Sequence, residues 1–113
     1  MLIYKIFRAP EWADLKANGD TAGAPIDLTD GYIHFSTAEQ AAETAAKHFA
    51  GLDDLILAAL DADALGDALK WEPSRGGALF PHLYRRLKLD EVLWAKPLLL
   101  GADGAHIFPE DPA

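Results

Sequence analysis

A short apolar run, Tyr32-Ile-His-Phe35, is entered through the turn residues Thr29-Asp30-Gly31 and stops at Ser36-Thr-Ala-Glu39. The run reads as a strand, and Ser-x-x-Glu is the capping-box pattern that opens a helix. A strand running straight into a helix N-terminus brings unpaired backbone N–H groups close to a titratable ring, here His34. That is a natural place to hold an anion or a ribose. The junction locates a candidate site without naming a reaction.

The remaining elements arrange themselves around it. Leu2 to Phe7 reads as a first strand, and Pro10 to Asn18 as a short helix closed by Gly19. Gly19 to Thr29 has no periodic apolar face and reads as a loop. Ser36 to about Ala50 reads as an alanine-rich helix ended by Gly51, with Ala38, Ala42, Ala45 and Phe49 close to one face. Asp54 to Leu60 is apolar enough for a strand buried on both sides. Asp61 to Asp67 is turn-rich with room for one helical turn, Leu69 to Glu72 alternates like a strand, and Pro73 to Gly77 is a loop. Phe80 to Arg86 reads as strand or irregular structure. Glu91 to Leu100 reads as a strand in which Pro97 marks an edge or a bulge, and Pro109 to Ala113 as a frayed tail. Helices come early and short strands late, with no regular strand–helix alternation. The expected fold is therefore a single α+β domain over residues 1–113, with a mixed or antiparallel sheet and two to three helices.

Composition narrows the function. The 113 residues carry no cysteine, which removes disulfides, thiol catalysis and thiolate-bound zinc. A net charge of −8 speaks against generic nucleic-acid binding and against binding to anionic membranes. Met1 to Lys5 lacks the basic start and long apolar stretch of a signal peptide, and the longest uncharged apolar run, Leu55 to Leu60, is too short to span a bilayer. A cytoplasmic protein is expected. Neither a dinucleotide-binding glycine motif nor a P-loop occurs. Within this acidic chain, Pro73 to Leu89 contains no Asp or Glu but holds Arg75, Arg85, Arg86 and Lys88 together with His82. Such a window reads either as a solvated face or as a local site for a phosphate or pyrophosphate.

Among the four histidines, no two stand three or four residues apart, so no metal site is expected. His48 falls at a helix end and reads as structural. His106 has no evident partner in the sequence. His34 interrupts an apolar strand, where a histidine is otherwise a satisfied core residue. Ser36 is either a site hydroxyl or simply a cap. His82 and Tyr84 stand two apart and, on an extended segment, share a face; the alternative is an aromatic cluster at a sheet edge. Arg75-Gly-Gly reads as a flap or an ordinary loop, and Glu72 and Glu91 are candidate carboxylates.

The segments Gly31-Tyr-Ile-His-Phe-Ser-Thr-Ala-Glu-Gln40, Phe80-Pro-His-Leu-Tyr84 and Leu89-Asp-Glu-Val-Leu93 together resemble the family called domain of unknown function 952, over nearly the whole chain. That family's fold looks like that of the ADP-ribosyltransferases. The resemblance implies NAD or ADP-ribose as a small phosphorylated ligand, and NAD as the implied cofactor. Protein partners are not implied. By this resemblance His34 matches the first-strand histidine that bonds a ribose hydroxyl. Tyr84 or Tyr32 would stack on the nicotinamide, and Arg85 with Arg86 would neutralise pyrophosphate. His82 and Ser36 would line the pocket, Arg75 would reach over the ligand, and Glu91 would be the carboxylate that transfer requires. Two further readings stand beside it. One is a non-catalytic nucleotide-binding module; the other is a phosphoesterase using two histidines as acid and base, in which Tyr84 replaces the small hydroxyl expected after His82.

Overall fold

The alternation of Leu2-Ile-Tyr-Lys-Ile-Phe7 places β1, Leu2–Arg8, between two apolar layers. In the computed structural model, which describes residues 1–74 and 77–108, Ile3 and Phe7 pack with Leu15, Ile33, Phe35, Leu83 and Leu87. Tyr4 and Ile6 turn to the other side and meet Ala45, Leu57 and Leu98. Lys5 has the parity of Ile3 and Phe7, so its ammonium is carried inward with them and is 6% exposed.

β1 is antiparallel to β4, Leu55–Asp61, from Leu2↔Asp61 to Arg8↔Leu55. β4 in turn pairs antiparallel with β8, Val92–Leu100, and β9, His106–Ile107, covers only the last two residues of β8. The uncharged run of β4 is buried as expected, because it is central in this sheet. Among the described residues, β8 has no neighbour on its outer side at Pro97, which suits a residue that cannot donate. Of the two readings of Pro97, the edge holds; a bulge sits at Leu93, between the pairs Ala59↔Trp94 and Leu60↔Val92.

α1, Ala9–Asn18, carries Pro10 in its first turn. The stretch read as a loop holds two elements. β2, Asp20–Thr21, pairs with β7, Leu87–Lys88, and α2 spans Pro25–Asp30. A six-residue helix is too short to show a periodic face. Its ends are set locally: Pro25 opens the first turn, the Asp27 carboxylate accepts the Ala24 N–H at 2.8 Å, and Gly31 closes it at φ 86°. The described α-helices are therefore α1, α2 and a third over Ala38–His48, with 3-10 turns at Asp63–Ala68 and Leu89–Glu91.

α3, Ala38–His48, starts two residues later than the sequence suggests. Thr37, not Ser36, is the cap: its hydroxyl accepts the Gln40 N–H, and Gln40 Oε1 accepts the Thr37 N–H at 3.0 Å. Ser36 is held elsewhere, because its backbone exchanges two hydrogen bonds with Tyr4 at 2.7 and 2.9 Å. Ala41 and Ala45 are the buried helix residues, whereas Ala38 and Ala42 face out.

A small antiparallel sheet completes the frame. β3, Ile33–His34, pairs with β6, Leu79–Leu83, which pairs with β5, Leu69–Pro73. All pairings among the described strands are antiparallel, which settles the open choice between mixed and antiparallel sheets. No described helix is long and apolar enough to cross a membrane. Arg75 and the Pro109–Ala113 tail lie outside the described residues.

Candidate functional site

Two registers build the site. His34 of β3 stands opposite His82 of β6, and the two rings meet edge to face with centroids 5.3 Å apart. Tyr32, two residues before His34, lies against both rings, at 4.7 Å from His34 and 4.1 Å from His82. Tyr84, two residues after His82, is 5.2 Å from Tyr32. Period-two side-chain geometry on neighbouring strands thus gathers four rings on one face.

Carboxylates hold each imidazole differently. His34 Nδ1 donates to Asp27 Oδ1 at 2.5 Å, and its Nε2 lies 3.0 Å from Asp30 Oδ2. Asp27 is fully buried and is served from several sides. Lys5 Nζ stands 3.0 Å from Oδ2, which also accepts the Ala24 N–H, while the His34 N–H reaches Oδ1 at 3.1 Å. Lys5 also donates to the His34 carbonyl at 3.2 Å. Burial alone would raise the Asp27 pKa. The His34 hydrogen bond and the Lys5 charge outweigh it and hold the carboxyl at about 2.

His82 is 2% exposed, and its Nδ1 donates to Glu72 Oε1 at 2.8 Å. The Tyr84 hydroxyl donates to that same oxygen at 2.6 Å. These two bonds, Tyr84 first, hold Glu72 below the usual carboxylate range. The reciprocal effect pushes the Tyr84 phenol up to about 12. The Tyr32 phenol is also raised, by burial and by the nearby Asp30 and Glu72 charges. His82 Nε2 is buried with no hydrogen-bond partner among the described residues. Leaving a buried nitrogen unsatisfied costs about 1–3 kcal/mol, so natural structures rarely contain one without a use for it.

The His34–His82 wall opens on a cleft of about 590 Å³, also lined by Lys5, Arg8, Asp27 and Ser36. Small-molecule sites run from roughly 300 to 1,000 Å³. The family pattern described as "Protein of unknown function (DUF952)" matches residues 6–95, which contain every side chain of this wall. The chain belongs to the DUF952 family.

The crystal structure of protein CC0527 from Caulobacter crescentus is similar to this DUF952 protein. It is 53% identical over 95% of this chain and 94% of that one, with a TM-score of 0.91. The solution NMR structure of CC0527 is 55% identical over 92% and 90%, with a TM-score of 0.84. The comparison with curated proteins gave no match.

Of the residues singled out in the sequence of this DUF952 protein, Tyr32, His34, His82 and Tyr84 are gathered in one cluster. Ser36 lines the cleft, with its hydroxyl 3.0 Å from that of Thr44. Tyr32, Tyr84 and Glu72 are not among the cleft residues, and neither are Arg85 and Glu91. The last two bind each other through two guanidinium–carboxylate bonds of 3.0 and 2.7 Å, which raise the arginine pKa and lower that of the glutamate. Arg86 pairs with Asp20 at 2.9 Å. Two of the four basic residues of the acid-free window, Arg85 and Arg86, are thus paired with carboxylates from outside it. His106, for which the sequence offered no partner, donates through Nε2 to the Leu52 carbonyl at 2.7 Å.

Sequence reasoning missed Lys5, Asp27 and Asp30, and noted Glu72 without a partner. Lys5 had a usable signal, since a lysine at an inward strand position must find a buried carboxylate. Among the described residues, no three His, Asp or Glu side chains gather as a metal-binding group.

Proposed function

We propose that this protein binds an NAD-like or ADP-ribose-like nucleotide in the His34–His82 cleft, as an ADP-ribosyltransferase-like enzyme or relative. The observation that carries the reading is the meeting of the two histidines with Tyr32 between them, at ring separations of 4.1 to 5.3 Å. Rings of this kind offer a stacking face for nicotinamide or adenine and hydrogen-bonding nitrogens for ribose hydroxyls. In this assignment His82 meets the ribose with the His34 ring packed beside it, and Tyr32 and Tyr84, next to the cleft lining, carry the flat base. Ser36 and Arg8 border the phosphates, since Arg85 is engaged by Glu91. Glu72, which touches both His82 and Tyr84, takes the carboxylate role that the sequence reading gave to Glu91. A ribosyl cation forming beside it would be stabilised by that negative charge. The ligand is a small phosphorylated molecule in a cytoplasmic setting, with no need of a membrane or a nucleic acid.

A binding module without turnover is the second reading. It is favoured by one observation: Glu72 Oε1 already accepts two hydrogen bonds, which weakens it as a base. The two-histidine phosphoesterase ranks below both, because each His34 nitrogen already faces a carboxylate.

Titration of ¹⁵N-labelled protein with NAD, ADP-ribose and AMP at millimolar concentration tests the site. Shifts should cluster at Tyr32, His34, Ser36 and His82, and a His34→Ala variant should lose them. Nicotinamide release from NAD then separates transferase from binding module. If no ligand moves these resonances, the nucleotide reading is wrong.

A further inference from the structure

The two histidines of the wall are not equivalent. Both His34 nitrogens face carboxylates, Asp27 at one and Asp30 at the other. His82 faces a carboxylate only at Nδ1. An ionised carboxylate accepts and cannot donate, so the 2.8 Å contact fixes the His82 proton on Nδ1. Tyr84 holds the same Glu72 oxygen from the other side, so the acceptor cannot swing away without breaking a second bond. What remains is Nε2, a lone pair with no partner among the described residues, in a ring that is more than nine-tenths buried and lines the cleft.

We propose that His82 Nε2 is a fixed hydrogen-bond acceptor for the ligand, with Glu72 and Tyr84 as its positioning residues and a hydroxyl or N–H group as what it recognises. A neutral nitrogen lone pair repels a phosphate oxygen. At this point the cleft therefore selects the sugar or the base of a nucleotide, not its phosphates. Solvent does not reach Nε2 while the rings are packed as they are, so a ligand group has to displace one of them. The ligand class named here rests on the nucleotide reading; the state of the imidazole does not.

Long-range ¹H–¹⁵N correlation of the histidine rings at mildly alkaline pH tests the proposal. Unliganded protein should show a protonated Nδ1 and a pyridine-type Nε2 for His82. A proton on Nε2, or on both nitrogens, overturns it. Glu72→Ala should move the proton to Nε2, while Glu72→Gln, which keeps an acceptor oxygen, should restore the native pattern. A pattern unchanged by Glu72→Ala removes Glu72 from the assignment. ADP-ribose should then shift Nε2 upfield, and inorganic phosphate at the same concentration should leave it in place. A response to phosphate alone overturns the proposed selectivity. Shifts elsewhere in the cleft with Nε2 unmoved overturn the acceptor role and leave the nucleotide reading standing. If ADP-ribose moves no cleft resonance, the nucleotide reading and the ligand class fall together, and the ring pattern still decides the fixed acceptor.

Discussion

Lys5 and Asp27 form a buried ion pair, 3.0 Å long, with side chains 7% and 0% exposed. The pair joins strand β1 to the short helix α2, and from Asp27 it continues to the His34 ring. Neither charge could be buried alone, because desolvating an ion costs several kcal/mol without a partner.

Removing one member should therefore be expensive. Lys5→Met is expected to destabilise the protein by about 3–5 kcal/mol, read as a lower urea midpoint. The double variant Lys5→Met with Asp27→Asn should lose less than the sum of the two single changes, because both singles break one network. Additive losses would show that the pair is not coupled.

Acid should act through the same carboxylate. Asp27 titrates at about 2 in the fold, against an ordinary value of 3.8. An acid depressed by folding stabilises the protein above its unfolded pKa and ceases to do so as pH falls through the folded one. Asp27 thus contributes on the order of 2 kcal/mol above about pH 4, lost progressively toward about pH 2. Unfolding measured across that window should show a slope that Asp27→Asn flattens.

The Tyr84 phenol gives an optical signal. It should ionise near 12 because Glu72 accepts its proton, and Glu72→Gln should return it toward its ordinary value of 10.0. Phenolate absorbance during an alkaline titration checks this. Because the folded pKa is raised, the contribution of this hydroxyl to stability is complete below the ordinary value and fades as pH rises above it.

Gly23 guards the Asp27 carboxylate. Its φ is +105°, and a Cβ there would lie 2.3 Å from Asp27 Oδ2. Gly23→Ala should cost at least about 1–3 kcal/mol from backbone strain alone. The clash should also shift the His34 amide resonance, since that N–H is bonded to Asp27. A mutant with native stability and an unmoved His34 amide would rule out this constraint.

How far the sequence spoke for this molecule depends on the range of each signal. β1, α1 and β4 were legible because periodicity and punctuation act within one element. α2 was not, because six residues carry no period and its cap is a side chain inside the helix itself. Ser36 and Thr37 both satisfy a capping pattern, and only the Tyr4 bridge decides between them. His34, His82, Tyr32 and Tyr84 were readable as motifs. That they meet follows from the β3–β6 register, which joins positions 48 residues apart in sequence (34 and 82). Glu91 and Arg85 show the reverse error: each looked available, and each was the partner of the other. Charges counted along a chain do not reveal such cancellation.

The cleft draws Lys5 from β1, Asp27 from α2, His34 from β3 and His82 from β6, and Glu72 of β5 holds the His82 ring from outside it. No contiguous peptide contains this set, and each pairing closes a long loop before it gains anything. The binding surface is consequently a late product of folding, complete only when the last strands dock. No excised fragment would retain it, and ligand protection against proteolysis would report the integrity of the entire chain, not of one motif.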